Sequence, residues 1–154
     1  MAQSVVTVLK LEDHFKEALA AASGATLLKS MLAAGQVLEG YAKIKANEVF
    51  SEHATNTLAG SISTVTKSAQ EHHVEVDVGP TVVYARIHEF GGTILPIHGE
   101  YLTFKTYDGM WHKVKVVHMP ARPYMRPALD EHKDAIVDAA GYQLKKALTF
   151  TSRK

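Results

Sequence analysis

The chemistry that this sequence suggests first is metal binding, because it contains nine histidines. His72 and His73 are adjacent in a segment with strand character, so their side chains would point to opposite faces and could not easily share one ion. His98-Gly99-Glu100 has the His-x-Glu of zinc deaminases, but the chain has no cysteine to complete that ligand set. We therefore predict no metal site and expect the histidines to be solvated or to lie in interfaces.

Nucleophilic and phosphate-binding chemistry finds no better support. The sequence has no Gly-x-Ser-x-Gly motif, and Ser61 and Ser63 belong to a predicted strand. Gly91-Gly92 is an isolated pair without the Gly-x-x-x-x-Gly-Lys pattern of a phosphate loop, so its predicted use is to let the chain turn. We predict no catalytic residues, no cofactor and no enzymatic activity.

Composition is that of an ordinary globular protein, with 46% hydrophobic residues, 21% charged residues and a net charge of +1. No charge of one sign dominates, so strong nucleic-acid binding is not predicted from charge. The basic end (Lys145, Lys146, Arg153 and Lys154) fits a solvated helix end about as well as a nucleic-acid contact. Charged residues interrupt Leu27–Val49, the longest apolar-leaning stretch, so no membrane span is predicted, and no signal peptide is visible.

The first half of the chain predicts helices. Leu11–Ala22 is rich in alanine and charge and ends at Ser23-Gly24, and Thr26 is a suitable N-cap for a longer second helix. Apolar residues of this second helix recur at a helical period and predict one packing face. They are Leu28, Met31, Leu32, Gly35, Leu38, Ala42 and Val49.

The middle of the chain predicts strands. After a break at Asn56–Gly60, Ser61–Lys67 is β-branched, and His73–Val78 alternates valines with polar residues. Tyr101–Thr106 and Trp111–Val117 flank Asp108-Gly109, a dipeptide that predicts a hairpin with a type I′ turn.

A proline-rich stretch then leads to a final helix, predicted from Pro127 to about Leu148. The order of helices, a small antiparallel sheet of about four strands with a long hairpin, and a C-terminal helix packed on the sheet predicts an α+β fold. We predict one domain over residues 1–154, with a helical arm at 1–25, a core at 26–148 and a basic tail at 149–154.

Three motifs follow one another in the chain. Asn56–Ile62 places a leucine before a Ser-Ile pair, Tyr84–Gly92 reads Tyr-Ala-Arg-Ile-His-Glu-Phe-Gly-Gly, and Pro120–Leu129 reads Pro-Ala-Arg-Pro-Tyr-Met-Arg-Pro-Ala-Leu. Together they resemble the motifs of tail-completion, or neck (head–tail joining), proteins of long-tailed bacteriophages, including the virion morphogenesis group. Tyr124 and Met125 stand where that family's pattern has Phe and Leu. The resemblance covers about Thr26 to Leu148.

The resemblance implies a structural virion protein, assembled in the host cytoplasm and located in the neck or tail. It implies a ring of identical subunits, commonly a hexamer, which finishes the tail and lets it join the filled head. Its partners would be the neighbouring connector and the tail tube or terminator proteins, with only non-specific contacts to DNA passing through the lumen and none to a membrane.

Within that family, the segment His88–Glu100 and the hairpin around Asp108-Gly109 are the predicted loops that reach a neighbouring subunit. Trp111 and Tyr124 are either interface anchors or core residues. Arg122 and Arg126 are expected to brace the C-terminal helix against the sheet or a neighbour. The candidate docking residues are Glu89, Phe90, Gly91, Gly92, Trp111, Arg122, Tyr124 and Arg126.

Two other functions fit the same motifs and composition. One is a different ring of the same particle, either a tail terminator or a connector on the head side of the neck. The other is a small DNA-binding regulatory protein that uses the basic C-terminal end, which a steep salt dependence of DNA affinity would reveal.

Overall fold

The computed structural model describes residues 7–8, 24–50 and 56–151, and for 7–8 and 148–151 it describes the backbone alone. The predicted helix Leu11–Ala22 and the last three residues lie outside this part. The elements are β1 (Thr7–Val8), α1 (Gly24–Val49), α2 (Thr57–Ser61), β2 (Ile62–Ala69), β3 (Val74–Pro80), α3 (Ala85–Phe90), β4 (Gly92–Ile94), β5 (Leu102–Lys105), β6 (Trp111–Val114), β7 (Val117–Met119), α4 (Met125–Glu131) and α5 (Lys133–Thr151). The fold is α+β, as predicted.

Helix α1 is the central element of the core. It begins at Gly24, so the prediction of Thr26 as its N-cap is wrong; the Thr26 carbonyl instead accepts a hydrogen bond from Ser30 Oγ (2.9 Å) inside the first turns. Four residues of the predicted apolar face are buried, and four other residues of the helix are buried beside them. The buried residues of α1 are Leu27, Ser30, Met31, Ala34, Gly35, Leu38, Ala42 and Ala46.

This face packs on a three-stranded antiparallel sheet in the order β1-β3-β2. Val76 and Val78 of β3 point into the core, as the alternating pattern predicted, while β2 pairs with β3 from Ile62↔Pro80 to Ala69↔Val74. The segment before β2 is not a simple break: Asn56 has a positive φ of 54°, and one helical turn, α2, follows it and buries Leu58.

Helix α1 approaches the sheet most closely at Gly35. A Cβ atom there would lie 2.6 Å from Thr64 Cγ2 and 3.1 Å from Val76 Cγ1. The Thr64 side chain cannot simply rotate away, because its hydroxyl donates a hydrogen bond to Glu39 Oε2 at 2.7 Å. The absence of a side chain at Gly35 therefore sets the distance between helix and sheet.

Residues 92–119 form two short antiparallel ribbons, β4–β7 and β5–β6, in place of further strands of one sheet. We call this segment the β-extension; none of its residues is buried. The hairpin exists as predicted, but its turn is not type I′, since Gly109 has a positive φ (86°) and Asp108 does not. Asp108 instead accepts hydrogen bonds from the Thr106 hydroxyl (2.6 Å) and the Met110 N–H (3.1 Å), which closes a longer loop.

The C-terminal helix is divided in two, whereas the sequence predicted one helix from Pro127 to about Leu148. Helix α4 ends at Glu131, and α5 begins at Lys133 after the non-helical His132. The His132 ring stacks on Tyr41 of α1 with 3.5 Å between ring centroids. This tertiary contact holds the residue at the break, and Ile136, Ala140 and Leu144 of α5 are buried as the periodicity predicted.

Two glycines of α1 test the close approach at Gly35. We expect Gly35→Ala to be less stable than Gly40→Ala by about 1–3 kcal/mol, the usual cost of overpacking a core. Gly40 has no neighbouring atom within 4 Å of its Cβ position, so its substitution gains helix propensity, up to about 1 kcal/mol, without a clash. Urea unfolding of both variants measures the difference. Equal stabilities would show that the helix–sheet distance does not depend on Gly35.

Candidate functional site

The carboxylate of Glu89 connects two of the three sequence motifs. Glu89 lies in α3, is 4% exposed, and accepts three hydrogen bonds from backbone N–H groups of the third motif. Its Oε2 accepts from Tyr124 (2.8 Å) and Met125 (3.0 Å), and its Oε1 accepts from Arg126 (3.1 Å). A buried carboxylate is tolerated because these donors replace the water that it loses.

These three bonds account for the start of helix α4. A helix begins with four N–H groups that have no partner within the helix. In α4 they belong to Tyr124, Met125, Arg126 and position 127, which is a proline and has no N–H. The first N–H to bond within the helix is that of Ala128, which donates to the Tyr124 carbonyl (3.3 Å). Because Pro127 has no N–H, only three donors remain at this helix start; Glu89 satisfies all three, and its negative charge suits the helix dipole.

Two backbone contacts next to Glu89 join the same motifs. The carbonyl of His88 accepts a hydrogen bond from the Arg122 N–H at 2.7 Å. Gly91 has φ 67°, and a Cβ there would lie 2.7 Å from the Ala121 nitrogen and 2.8 Å from the Met119 oxygen, so only glycine fits. Gly92 then pairs with Met119 at the start of the β-extension. The predicted turn at the glycine pair is confirmed, and its purpose is this close backbone approach.

Tyr124 was predicted to be either an interface anchor or a core residue, and it lies in the core. It is fully buried, and its ring packs edge-on to Phe50 (centroids 6.1 Å apart). Its hydroxyl is buried and makes no hydrogen bond among the described residues. Burial, and then the nearby Glu89 carboxylate and Tyr84 phenol, raise the pKa of Tyr124 far above its ordinary value, so the hydroxyl stays protonated. This side chain contributes packing within the protomer.

His88 also packs against Phe50. Its ring is edge-on to Phe50 (4.8 Å) and to Tyr84 (5.6 Å), and its Nδ1 atom is buried without a hydrogen-bond partner in the described structure. Burial and the nearby positive charge of Arg122 lower the pKa of His88 below its usual range. The ring is therefore neutral at neutral pH and acts as a packing surface.

The other candidate docking residues are exposed. Phe90 is 63% exposed and Trp111 is 70% exposed, so neither aromatic side chain is used by the protomer's core. The Arg126 guanidinium Nε lies 3.8 Å from Asp130 Oδ2 on the same helix, and Arg122 is also exposed. The bracing of the C-terminal segment comes from Glu89 and not from these arginine side chains, whose contact with a neighbouring subunit stays a prediction.

Sequence reasoning missed that Glu89 is the cap of α4, although it singled out both motifs. A glutamate 35 residues before the helix that it caps gives no local signal, because capping patterns link residues about three positions apart. Short helix α3, which places Glu89, was also not predicted. The one available hint was a lone acidic residue beside a glycine pair, followed later by a proline-interrupted helix start.

Neither a metal centre nor a membrane span emerges from the described residues. No group of three His, Asp or Glu side chains within ranges 24–50 and 56–151 could hold a metal ion. None of the helices described there is long and apolar enough to cross a membrane.

The comparison with known families identifies the class of protein. The model of the phage virion morphogenesis family matches residues 15–145, which include all three sequence motifs and the Glu89 cap. The chain belongs to this family and is a phage virion morphogenesis protein. Comparisons with curated proteins and with solved structures found no match.

The capping role of Glu89 predicts a large effect for a very small change. Glu89→Gln keeps the shape but places an NH₂ group against a backbone N–H donor, so we expect a loss of about 2 kcal/mol in unfolding free energy. Glu100→Gln is the matched control, because Glu100 is exposed and its change should stay within about 0.5 kcal/mol. Denaturant unfolding of both variants measures the effect. The same small loss in both would contradict the capping role.

The unpartnered hydroxyl of Tyr124 predicts a stabilising substitution. Tyr124→Phe keeps the ring against Phe50 and removes a buried hydroxyl that has no hydrogen-bond partner among the described residues, so we expect a gain of about 1 kcal/mol. Tyr107→Phe is the control, because Tyr107 is 82% exposed. Thermal unfolding of both variants decides. A loss of stability in Tyr124→Phe would show that the hydroxyl has a partner in the folded protein.

Proposed function

We propose that this protein forms a ring at the head–tail junction or the head-proximal end of the tail, where it completes the tail and joins it to the head. The observation that supports this role most strongly is the β-extension, which contains no buried residue yet exposes many large apolar side chains. Its members that are more than half exposed are Leu95, Ile97, Tyr107, Met110 and Trp111.

Such a segment needs a partner. A two-stranded ribbon is marginally stable by itself in water, and an exposed apolar surface of this kind usually marks an interaction site. The core gives the β-extension a firm attachment, because Gly91, Gly92 and the Glu89 cap tie both of its ends to helix α4. This combination of a rigid base and an uncovered projection suits a subunit that contacts its neighbours in an assembly.

A ring follows if the β-extension of one subunit contacts a different surface of the next. Such head-to-tail contacts close into a ring when the rotation between subunits divides a full turn. The family resemblance favours about six copies, with connector and tail tube or terminator proteins above and below. A tail terminator or a head-side connector would use the same geometry, and the position of the subunit in a map of the particle distinguishes these three locations.

The ring is tested by removing the β-extension without disturbing the core. Ile94 and Val117 are paired, so an Asn-Gly dipeptide can replace residues 95–116 and close the β4–β7 ribbon as a short hairpin. We expect this variant to keep the circular dichroism and thermal unfolding of the core but to remain monomeric by light scattering. We expect it to fail to produce joined particles when it replaces the original protein during infection.

The full-length chain, examined over a wide concentration range with negative-stain imaging, is the reference for this test. Rings of about six copies that disappear in the shortened variant agree with the proposal. Particles that form and infect normally with the shortened variant would overturn it.

A further inference from the structure

The β5–β6 hairpin has two different faces. Its register pairs Thr103 with Lys113 and Lys105 with Trp111, and paired residues of neighbouring strands share a face. Tyr101 belongs to this side too, because the Nζ atom of Lys113 lies 4.4 Å from its ring centroid and that of Lys115 lies 5.6 Å from it. We call this side the basic–aromatic face. It comprises Tyr101, Thr103, Lys105, Trp111, Lys113 and Lys115.

This is the outward side of the hairpin. All six of its residues are exposed, whereas on the opposite side Leu102, His112 and Val114 are half-buried and Phe104 is 38% exposed. Its three lysines form no ion pair within the described residues, although two of them interact with the ring of Tyr101. The face therefore combines three unpaired positive charges with an exposed tryptophan.

A surface of complementary character lies on helix α5. Its core side is Ile136, Ala140 and Leu144, and the residues turned away from the core are exposed. Four of these form what we call the acidic stripe: Asp134, Val137, Asp138 and Tyr142, with Val137 41% and Tyr142 65% exposed. Their spacing of three to four residues places them on one side of the helix.

The acids of this stripe are also unpaired. Nearby Asp130 is already close to Lys133 (3.4 Å), and Glu131 is paired with Lys45 (2.9 Å). Asp134 and Asp138 have no such partner within the described part of the chain. The stripe thus offers two negative charges without an ion-pair partner among the described residues, beside an exposed tyrosine and valine.

We propose that the basic–aromatic face of one subunit docks on the acidic stripe of α5 in a second copy of this chain. The lysines would face Asp134 and Asp138, and Trp111 would cover Val137 and Tyr142. Opposite charges fix orientation and exclude wrong partners, while the aromatic contact supplies burial. Because the two surfaces differ, the contact is head-to-tail, and it closes into a ring when the rotation between subunits divides a full turn. This inference rests on the proposed function, in that it names the contact between neighbours of that ring.

Charge reversal on both surfaces tests the pairing. One double variant is Lys105→Glu with Lys113→Glu, and the other is Asp134→Lys with Asp138→Lys. We expect each to raise the protein concentration needed for self-association at least tenfold. Combining all four substitutions in one chain should restore association, because the charges are exchanged and not lost. Lys29→Glu, at an exposed position of α1, is the control and should have no effect. Light scattering and sedimentation measure the assembly, and circular dichroism confirms folding.

Cross-linking gives a second readout that does not depend on charge. The chain contains no cysteine, so Thr103→Cys in one preparation, which keeps Trp111, and Val137→Cys in another each introduce a unique thiol. Oxidation of the mixture should join the two kinds of chain, and neither preparation alone should cross-link to the same extent.

Several results would overturn the pairing. The original chain could stay monomeric at every concentration, or the charge reversals could leave self-association unchanged, as Lys29→Glu should. The variant with all four substitutions could fold but not associate, or the mixture of cysteine variants could form no cross-links. If the lysine reversals instead lower affinity for duplex DNA while assembly is unchanged, the face contacts nucleic acid and not a neighbour. The proposed function is judged separately, because a ring that forms despite both reversals keeps that function and discards only this contact.

Discussion

The structure depends most on one buried carboxylate. Glu89 lies in the short helix α3 and caps the start of helix α4 by accepting hydrogen bonds from the N–H groups of Tyr124, Met125 and Arg126. An uncompensated charge at 4% exposure would be costly, so the two segments that supply the charge and its donors must fold together. The chain between them, residues 91–123, is thereby anchored at both ends. A segment with no buried residue of its own between 92 and 119 acquires a defined position in this way.

The protein therefore divides its tasks between two regions. Helices α1 and α5 and the sheet around β3 provide the apolar core, with Gly35 setting how closely helix and sheet approach. The β-extension contributes nothing to that core and carries exposed aromatic and apolar side chains. This division suits the role proposed for the β-extension, because a surface proposed for assembly can remain uncovered without weakening the fold. The Glu89 cap is the connection between the two regions.

Periodicity predicted the main elements and most of the core. The helical stripe of α1 and the alternation of β3 were predicted correctly. Each pattern depends on residues only a few positions apart, which face either the solvent or the interior of the protein. The C-terminal helix was predicted as one piece, because its break at His132 comes from stacking on Tyr41, 91 positions earlier by their numbers. The turn at Asp108-Gly109 was assigned the wrong type, because the Asp108 carboxylate accepts hydrogen bonds from Thr106 and Met110 that close a longer loop.

The sequence by itself determined the α+β class, the core faces of its helices and strands, and membership of a family of phage morphogenesis proteins, since local patterns and ordered motifs carry that information. Only the tertiary structure decided what the motifs do. Tyr124 is core while Trp111 is exposed, and within the protomer the Glu89 carboxylate, not the side chain of Arg122 or Arg126, holds the C-terminal segment. The reason is physical: a hydrogen bond between residues that lie far apart in the chain depends on the packing of every element between them, and no local spacing records it.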